Sequence, residues 1–121
     1  VSRSRTNTPL QALALMHSPE YVEAARHLGA LLLGLEGDDK ERLRTGFERV
    51  TSRTPRPEEL ALLTRSLEGE TARFTANPEA AETLLGVGIS GRDESLDPVD
   101  HAAMTSVARL LLNLDEAIHK N

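Results

Sequence analysis

The chain contains 121 residues, with 14 basic and 19 acidic side chains and a net charge of −5. Its length predicts one domain, because domains usually comprise roughly 100–200 residues. The acidic balance disfavours contact with nucleic-acid phosphates, so we expect no nucleic-acid partner. The absence of cysteine excludes disulfides and thiolate metal sites within the chain. No apolar run approaches the roughly 18 residues of a membrane-spanning helix, so we expect no membrane span.

The chain begins with neither an initiator methionine nor the apolar core of a signal peptide. We therefore expect it to be a piece of a larger protein, folded as a single helical domain over residues 1–121. Its only aromatic residues are Tyr21, Phe47 and Phe74. A core built from leucine and alanine favours helices over sheets. The predicted fold class is all-α, a compact array of five to six antiparallel helices.

Proline placement predicts where the helices begin. Five of the six prolines can occupy a first helical position, where the missing N–H costs no hydrogen bond. Thr8 and Gln11 have the spacing of a capping box, in which each side chain binds the backbone of the other. The predicted helices cover residues 8–16, 19–35, 38–51, 57–76, 78–85 and 98–118.

Apolar residues recur at helical spacing along the predicted helices. In the second predicted helix the stripe consists of Tyr21, Ala25, Leu28, Leu32 and Leu35. The last helix carries the longest stripe, from Val99 to Ile118. We therefore expect the last helix to lie at the centre of the array.

Residues 86–96 form a glycine-bearing loop between the last two predicted helices. Loops of this length inside a compact domain are often functional or mobile. The spacing of Gly86, Gly88 and Gly91 matches the dinucleotide-binding fingerprint, but that fingerprint requires a preceding strand, and a helix is predicted here. The favoured interpretation is a flexible loop, and its functional alternative is a lid over a substrate cleft.

Two pairs of residues have the spacing of metal ligands. Glu116 and His119 are three positions apart, as in helical di-iron sites, and Glu23 and His27 share one helix face. Di-iron sites need two copies of the first pair, and the chain has one. The competing interpretation is a surface pair at 23 and 27 and a frayed helix end at 119. We expect no cofactor and no metal in this chain.

The sequence contains no signature of catalysis. No serine lies in a Gly-x-Ser-x-Gly elbow. The carboxylates of Glu58 and Glu59, like those of Asp115 and Glu116, are sequence neighbours and point about 100° apart on a helix. We therefore do not expect the chain to be an enzyme by itself.

Several polar residues stand where apolar packing cannot explain them. Arg5, Thr6 and Asn7 precede the first capped helix, and Asn113 lies beside the apolar stripe of the last one. They are candidates for structural hydrogen bonds or for an interface with the rest of a parent protein. If buried, Asn113 would need a partner, for which Arg53 or the first turn is a candidate. Replacing Asn113 by Leu or Arg53 by Ala is predicted to lower stability.

Three stretches of sequence together resemble a known family. They are residues 5–13 (RTNTPLQAL) followed by 21–25 (YVEAA), residues 53–60 (RTPRPEEL), and residues 107–116 (VARLLLNLDE). In this order and spacing, across essentially the whole chain, they resemble the C-terminal end of the planctomycete PSD-one domain family, whose function is unknown. The chain departs from that family's pattern at Ser52, where glycine is usual, and at Met104, where tryptophan is usual.

The resemblance implies a setting for the chain. Members of the family are large exported proteins, often with a c-type cytochrome domain near their N-terminus. By this resemblance the chain is the tail of such a protein in the periplasm or at the cell surface, and haem is possible elsewhere in the parent. The expected partner is the N-terminal remainder of that protein. No catalytic residues of the family can be carried over. The expected function is a non-catalytic helical module that completes the larger protein, and the alternative is a contribution of loop 86–96 to an upstream substrate cleft.

Overall fold

A computed structural model describes residues 18–119, with side chains described as far as Leu114. Within that range the chain forms five α-helices and no strand, which confirms the all-α prediction. The predicted helix over residues 8–16, with Gln11, lies outside the described residues. The helices are α1 (Pro19–Leu33), α2 (Asp39–Thr51), α3 (Pro57–Ala76), α4 (Pro78–Leu85) and α5 (Pro98–His119).

Most of these helices begin at a capping oxygen. In α2, for example, the Asp38 carboxylate accepts the N–H of Glu41 at 2.9 Å. Such a bond satisfies one of the donors that the first helical turn leaves free. Proline follows the cap in α1, α3, α4 and α5, as its placement predicts. The capping side chains belong to Ser18, Asp38, Asn77 and Asp97.

The connector between α2 and α3 begins in a left-handed backbone conformation. Ser52, the residue after α2, has φ of 63° and donates its N–H to the carbonyl of Glu48. A left-handed residue after a helix is most often glycine, because a Cβ is disfavoured there. This geometry fits the glycine that the resemblance leads us to expect at this position.

Helix α5 contacts each of the other four described helices, which confirms its predicted central position. Its inward face is mainly apolar, with His101 and Thr105 as its buried polar residues. Met104, at the position where tryptophan was expected from the resemblance, is buried in this core. The buried apolar residues of α5 are Ala102, Ala103, Met104, Val107, Ala108 and Leu111.

The buried face of α1 is rotated relative to the predicted stripe. Ala25 and Leu32 are fully enclosed as expected, but Leu28 and Leu35 pack only at the margin of the core. Arg26 and Gly29 lie at the centre of the buried face instead. A Cβ at Gly29 would lie 3.1 Å from the backbone nitrogen of a residue on α5, so glycine permits close packing there. None of the described helices is long and apolar enough to cross a membrane.

Candidate interaction site around Arg26

The loop between α4 and α5 is fastened to α1 by a buried arginine. The side chain of Arg26 is 1% exposed, and its guanidinium donates four hydrogen bonds. One nitrogen binds the carbonyls of Leu85 and Val87 at 3.1 and 2.7 Å. The other binds the carbonyl and the hydroxyl of Ser90, both at 2.8 Å. A charged group this deeply buried is stable only when hydrogen bonds replace water, and here the end of the preceding helix and the loop supply four.

The guanidinium also occupies the carboxyl end of α4. The last carbonyls of a helix have no partner within that helix and carry partial negative charge. Leu85 is the final residue of α4, and its carbonyl accepts from Arg26. The arginine therefore stabilises the end of α4 and sets the direction in which the chain leaves it.

A carboxylate on the same face of α1 binds the loop from the other side. Glu23 accepts the backbone N–H of Ser90 at 2.5 Å and also accepts the Ser90 hydroxyl proton. It lies 3.5 Å from the Arg26 guanidinium. The hydroxyl and amide of Ser90 lower the pKa of Glu23 to about 2. Glu23 is therefore ionised at neutral pH and holds the middle of the loop.

The Ser90 hydroxyl is committed to structural bonds. It donates to Glu23 and accepts from Arg26, and the Nε2 atom of His27 lies 3.2 Å away. Since the hydroxyl proton points to Glu23, the His27 contact requires a protonated Nε2 that donates. His27 is therefore not placed to remove the proton from Ser90. We call Glu23, Arg26, His27 and Ser90 the Arg26 cluster.

A buried histidine of α5 binds the backbone of the Arg26 cluster. His101 is 1% exposed, and its Nε2 donates to the backbone carbonyl of Arg26 at 3.1 Å. The Nδ1 atom is buried and has no hydrogen-bond partner in the part of the chain that the structure describes. Burial lowers the pKa of His101, so the ring is neutral at neutral pH.

The contact with Glu23 explains one of the three glycines of the loop. Gly88 has φ of 101°, and a Cβ there would lie 2.7 Å from the carboxyl carbon of Glu23. Glycine is the residue type that tolerates both the conformation and the approach. The loop follows helix α4 rather than a strand, so the strand-to-helix geometry of a dinucleotide site is not what Gly86, Gly88 and Gly91 form here.

The loop that the Arg26 cluster holds exposes one large apolar side chain to solvent. Ile89 lies between Gly88 and Ser90 and is 100% exposed. Beside it is an open cleft of about 390 Å3. An ion pair of 2.8 Å between Arg92 and Glu82 lies at this cleft. The loop thus combines a fixed backbone with an exposed aliphatic anchor.

The predicted polar residues do not gather at one place in the described structure. Arg53 binds Glu59 through both its terminal nitrogens, at 2.9 and 2.8 Å, and lies over the ring of Phe47. It therefore does not bind Asn113, whose buried Oδ1 has no partner among residues 18–114. Arg5, Thr6, Asn7, Gln11 and the side chain of Glu116 lie outside the described residues.

The proposed metal ligands of α1 are engaged elsewhere. Glu23 and His27 each contact Ser90 rather than converging on an empty position. The described side chains contain no group of three or more histidine or acidic residues that could hold a metal ion. The side chains of Glu116 and His119 lie beyond the described range.

The sequence interpretation missed the centre of this site. Arg26 was not singled out, although it follows Ala25 on the apolar face of its helix, where a charged residue is rare. That position was the available signal. Its partners lie 59 to 64 residues away, and no helical pattern predicts contacts at that separation.

Comparison with known proteins gives one match. A family model described as PSD1, protein of unknown function (DUF1553), matches residues 1–67 of the chain. The matched range contains the first two stretches of the resemblance and the α1 residues of the Arg26 cluster, whereas the third stretch and Ser90 follow it. Comparisons with curated proteins and with solved structures gave no significant match.

Proposed function

Since the chain belongs to the PSD1 family of proteins of unknown function, we propose that it is a non-catalytic helical module that docks on the remainder of a larger exported protein. The resemblance of its motifs to the C-terminal part of that family supports this setting. The same resemblance supports a location in the periplasm or at the cell surface and a c-type haem elsewhere in the parent protein.

The observation that carries the proposal is the exposure of Ile89. A loop that served only to connect α4 and α5 would gain nothing from presenting an isoleucine to water. The Arg26 cluster fixes the backbone on both sides of Ile89, so binding would cost little ordering entropy. A partner that covers this rigid aliphatic side chain would therefore gain apolar burial at little entropic cost.

The alternative is that loop 86–96 forms a lid or wall of a substrate cleft housed partly upstream. The cleft beside Ile89 favours this function, because Arg92 and Glu94 offer polar groups there. Opening of a lid would break the four Arg26 hydrogen bonds. Docking through Ile89 requires no such movement, and for this reason we prefer it.

Cysteine labelling tests the proposal, because the chain has no cysteine of its own. Ile89→Cys would be introduced into this chain and into the longer parent protein, and the alkylation rate measured by mass spectrometry of the labelled peptide. We expect the rate to fall by about tenfold or more in the parent, because the centre of an interface excludes solvent.

Leu62→Cys is the matched control. Leu62 is also an exposed aliphatic residue, at 58% exposure, and lies on α3. Its labelling rate should be equal in the two proteins. Equal rates for Ile89→Cys in the chain and in the parent would contradict docking through this loop.

A further inference from the structure

A second surface feature lies between α2 and α3, away from the Arg26 cluster. It is an open groove of about 570 Å3, closed at one end by the connector that joins the two helices. Its floor is apolar and includes the buried residues Pro55 and Leu60. We call it the α2–α3 groove. Its charged lining residues are Lys40, Arg44, Arg65 and Glu68.

Three cations of this groove have no carboxylate partner among the described residues. Lys40, Arg44 and Arg65 form no ion pair there, whereas most other described arginines do. Glu68 is the single acidic residue of the lining. A chain with a net charge of −5 therefore concentrates unpaired positive charge along one groove.

The spacing of these charges suits an extended partner. Lys40 and Arg44 are four residues apart, so they lie one above the other on the same face of α2. Arg65 lies on the opposite wall, on α3. Carboxylates spaced along an extended peptide can each pair with one of these charges.

We propose that the α2–α3 groove binds an acidic segment of another polypeptide chain. Carboxylates of that segment contact Lys40, Arg44 and Arg65, and one aliphatic side chain lies on the floor formed by Pro55 and Leu60. The cations increase the rate of encounter, and the floor supplies apolar burial. This proposal does not depend on docking through Ile89, because the two surfaces involve different residues.

The test uses a short fluorescent peptide in which glutamates flank a central leucine. Binding to the chain is measured by fluorescence anisotropy at two salt concentrations. We expect saturable binding that weakens with added salt. The double variant Arg44→Gln/Arg65→Gln should weaken it by about tenfold, since an exposed ion pair changes affinity by up to about fivefold. Glu68→Gln should strengthen binding.

Arg49→Gln is the matched control. Arg49 is a further exposed cation of α2 without an ion pair in the described structure, and it does not line the groove. Its removal changes the net charge by one without touching the site, so affinity should stay within about twofold. A peptide with glutamine in place of glutamate should not bind.

Four results would overturn the proposal. The first is no saturable binding of the acidic peptide, and the second is an equal loss of affinity in Arg49→Gln and the groove variants. Displacement of the peptide by inorganic phosphate, beyond that caused by sodium chloride at the same ionic strength, would indicate a small-anion site instead. Self-association of the chain that the double variant abolishes would indicate a second copy as the occupant.

Discussion

Two connectors of this molecule are each held by one arginine, but in different surroundings. The loop of residues 86–96 is fastened by Arg26, which is 1% exposed and binds backbone carbonyls. The connector of residues 52–56 is held by Arg53, whose side chain is 44% exposed and binds the carboxylate of Glu59. The first arrangement excludes water and the second remains in contact with it.

The two arginines differ in whether water can solvate their hydrogen-bond partners once the arginine is removed. Water can solvate Glu59 once Arg53 is removed, because both groups are accessible, and exposed ion pairs contribute little to stability. Water cannot reach all the carbonyls that Arg26 serves without opening the loop. The buried arginine therefore controls both the stability of the fold and the position of Ile89.

Arg26→Met should have the largest effect. The substitution keeps most of the side-chain volume but leaves buried carbonyls without a donor, so we expect a loss of about 3 kcal/mol or more in the free energy of unfolding. Urea denaturation measures it. Arg53→Met is the control and should lose clearly less. Equal losses would show that burial does not distinguish the two connectors.

Gly88→Ala should have the next largest effect. The new Cβ would be strained at φ of 101° and would displace the Glu23 carboxylate. We expect a loss of about 1–3 kcal/mol in the free energy of unfolding. Gly91→Ala in the same loop is the control, because a Cβ there meets no atom within 4 Å. A loss in Gly91→Ala as large as that in Gly88→Ala would contradict a specific contact with Glu23.

Acid should weaken the Arg26 cluster over a defined range of pH. Glu23 has an ordinary pKa of 4.5 and a folded-state pKa of about 2. The unfolded chain therefore binds the proton more readily, and the stability from Glu23 is complete above pH 4.5 and is lost as pH falls towards 2. Glu23→Gln should flatten this part of the pH profile in urea denaturation.

Glu59 is the carboxylate to compare with Glu23 over the same pH range. Its pKa is also lowered to about 2, chiefly by the hydrogen bond from Arg53. Glu59→Gln should flatten the profile as well, but the contribution of Glu59 should weaken more with added salt, because its arginine partner is exposed. If salt affected both contributions equally, the burial of Arg26 would not shield its neighbour Glu23 from screening.

The helices were predictable because their signals are local. Proline behind a capping residue and apolar spacing placed α3 and α4 at their observed bounds, and α2 and α5 within one residue of theirs. The end of α1 was predicted two residues too late, at a glycine-bearing turn. These patterns operate over a few residues, which is the range that sequence reasoning covers.

The candidate site was less predictable because its contacts are distant in sequence. The loop was located and its glycines noted, but the expected flexibility did not anticipate fastening by Arg26 and Glu23. In the sequence, an arginine on an apolar helix face only interrupts the apolar pattern, and its hydrogen-bond partners are not visible. The unpaired cations of the α2–α3 groove were likewise not predicted, because pairing depends on tertiary structure.

Ser52→Gly should have the smallest effect, and it should be a gain. Ser52 begins the exposed connector with φ of 63°, where glycine has no Cβ to strain the backbone. Relief of this strain outweighs the opposing effect of glycine, which increases the entropy of the unfolded chain, so we expect a net gain of about 0.5–1 kcal/mol in the free energy of unfolding. Ser66→Gly in the middle of α3 is the control and should instead lose about 0.5 kcal/mol, because glycine is a poor helix former. A loss in both variants would mean that Ser52 makes a favourable contact outweighing the strain, and that the connector between α2 and α3 depends on more than Arg53 and Glu59.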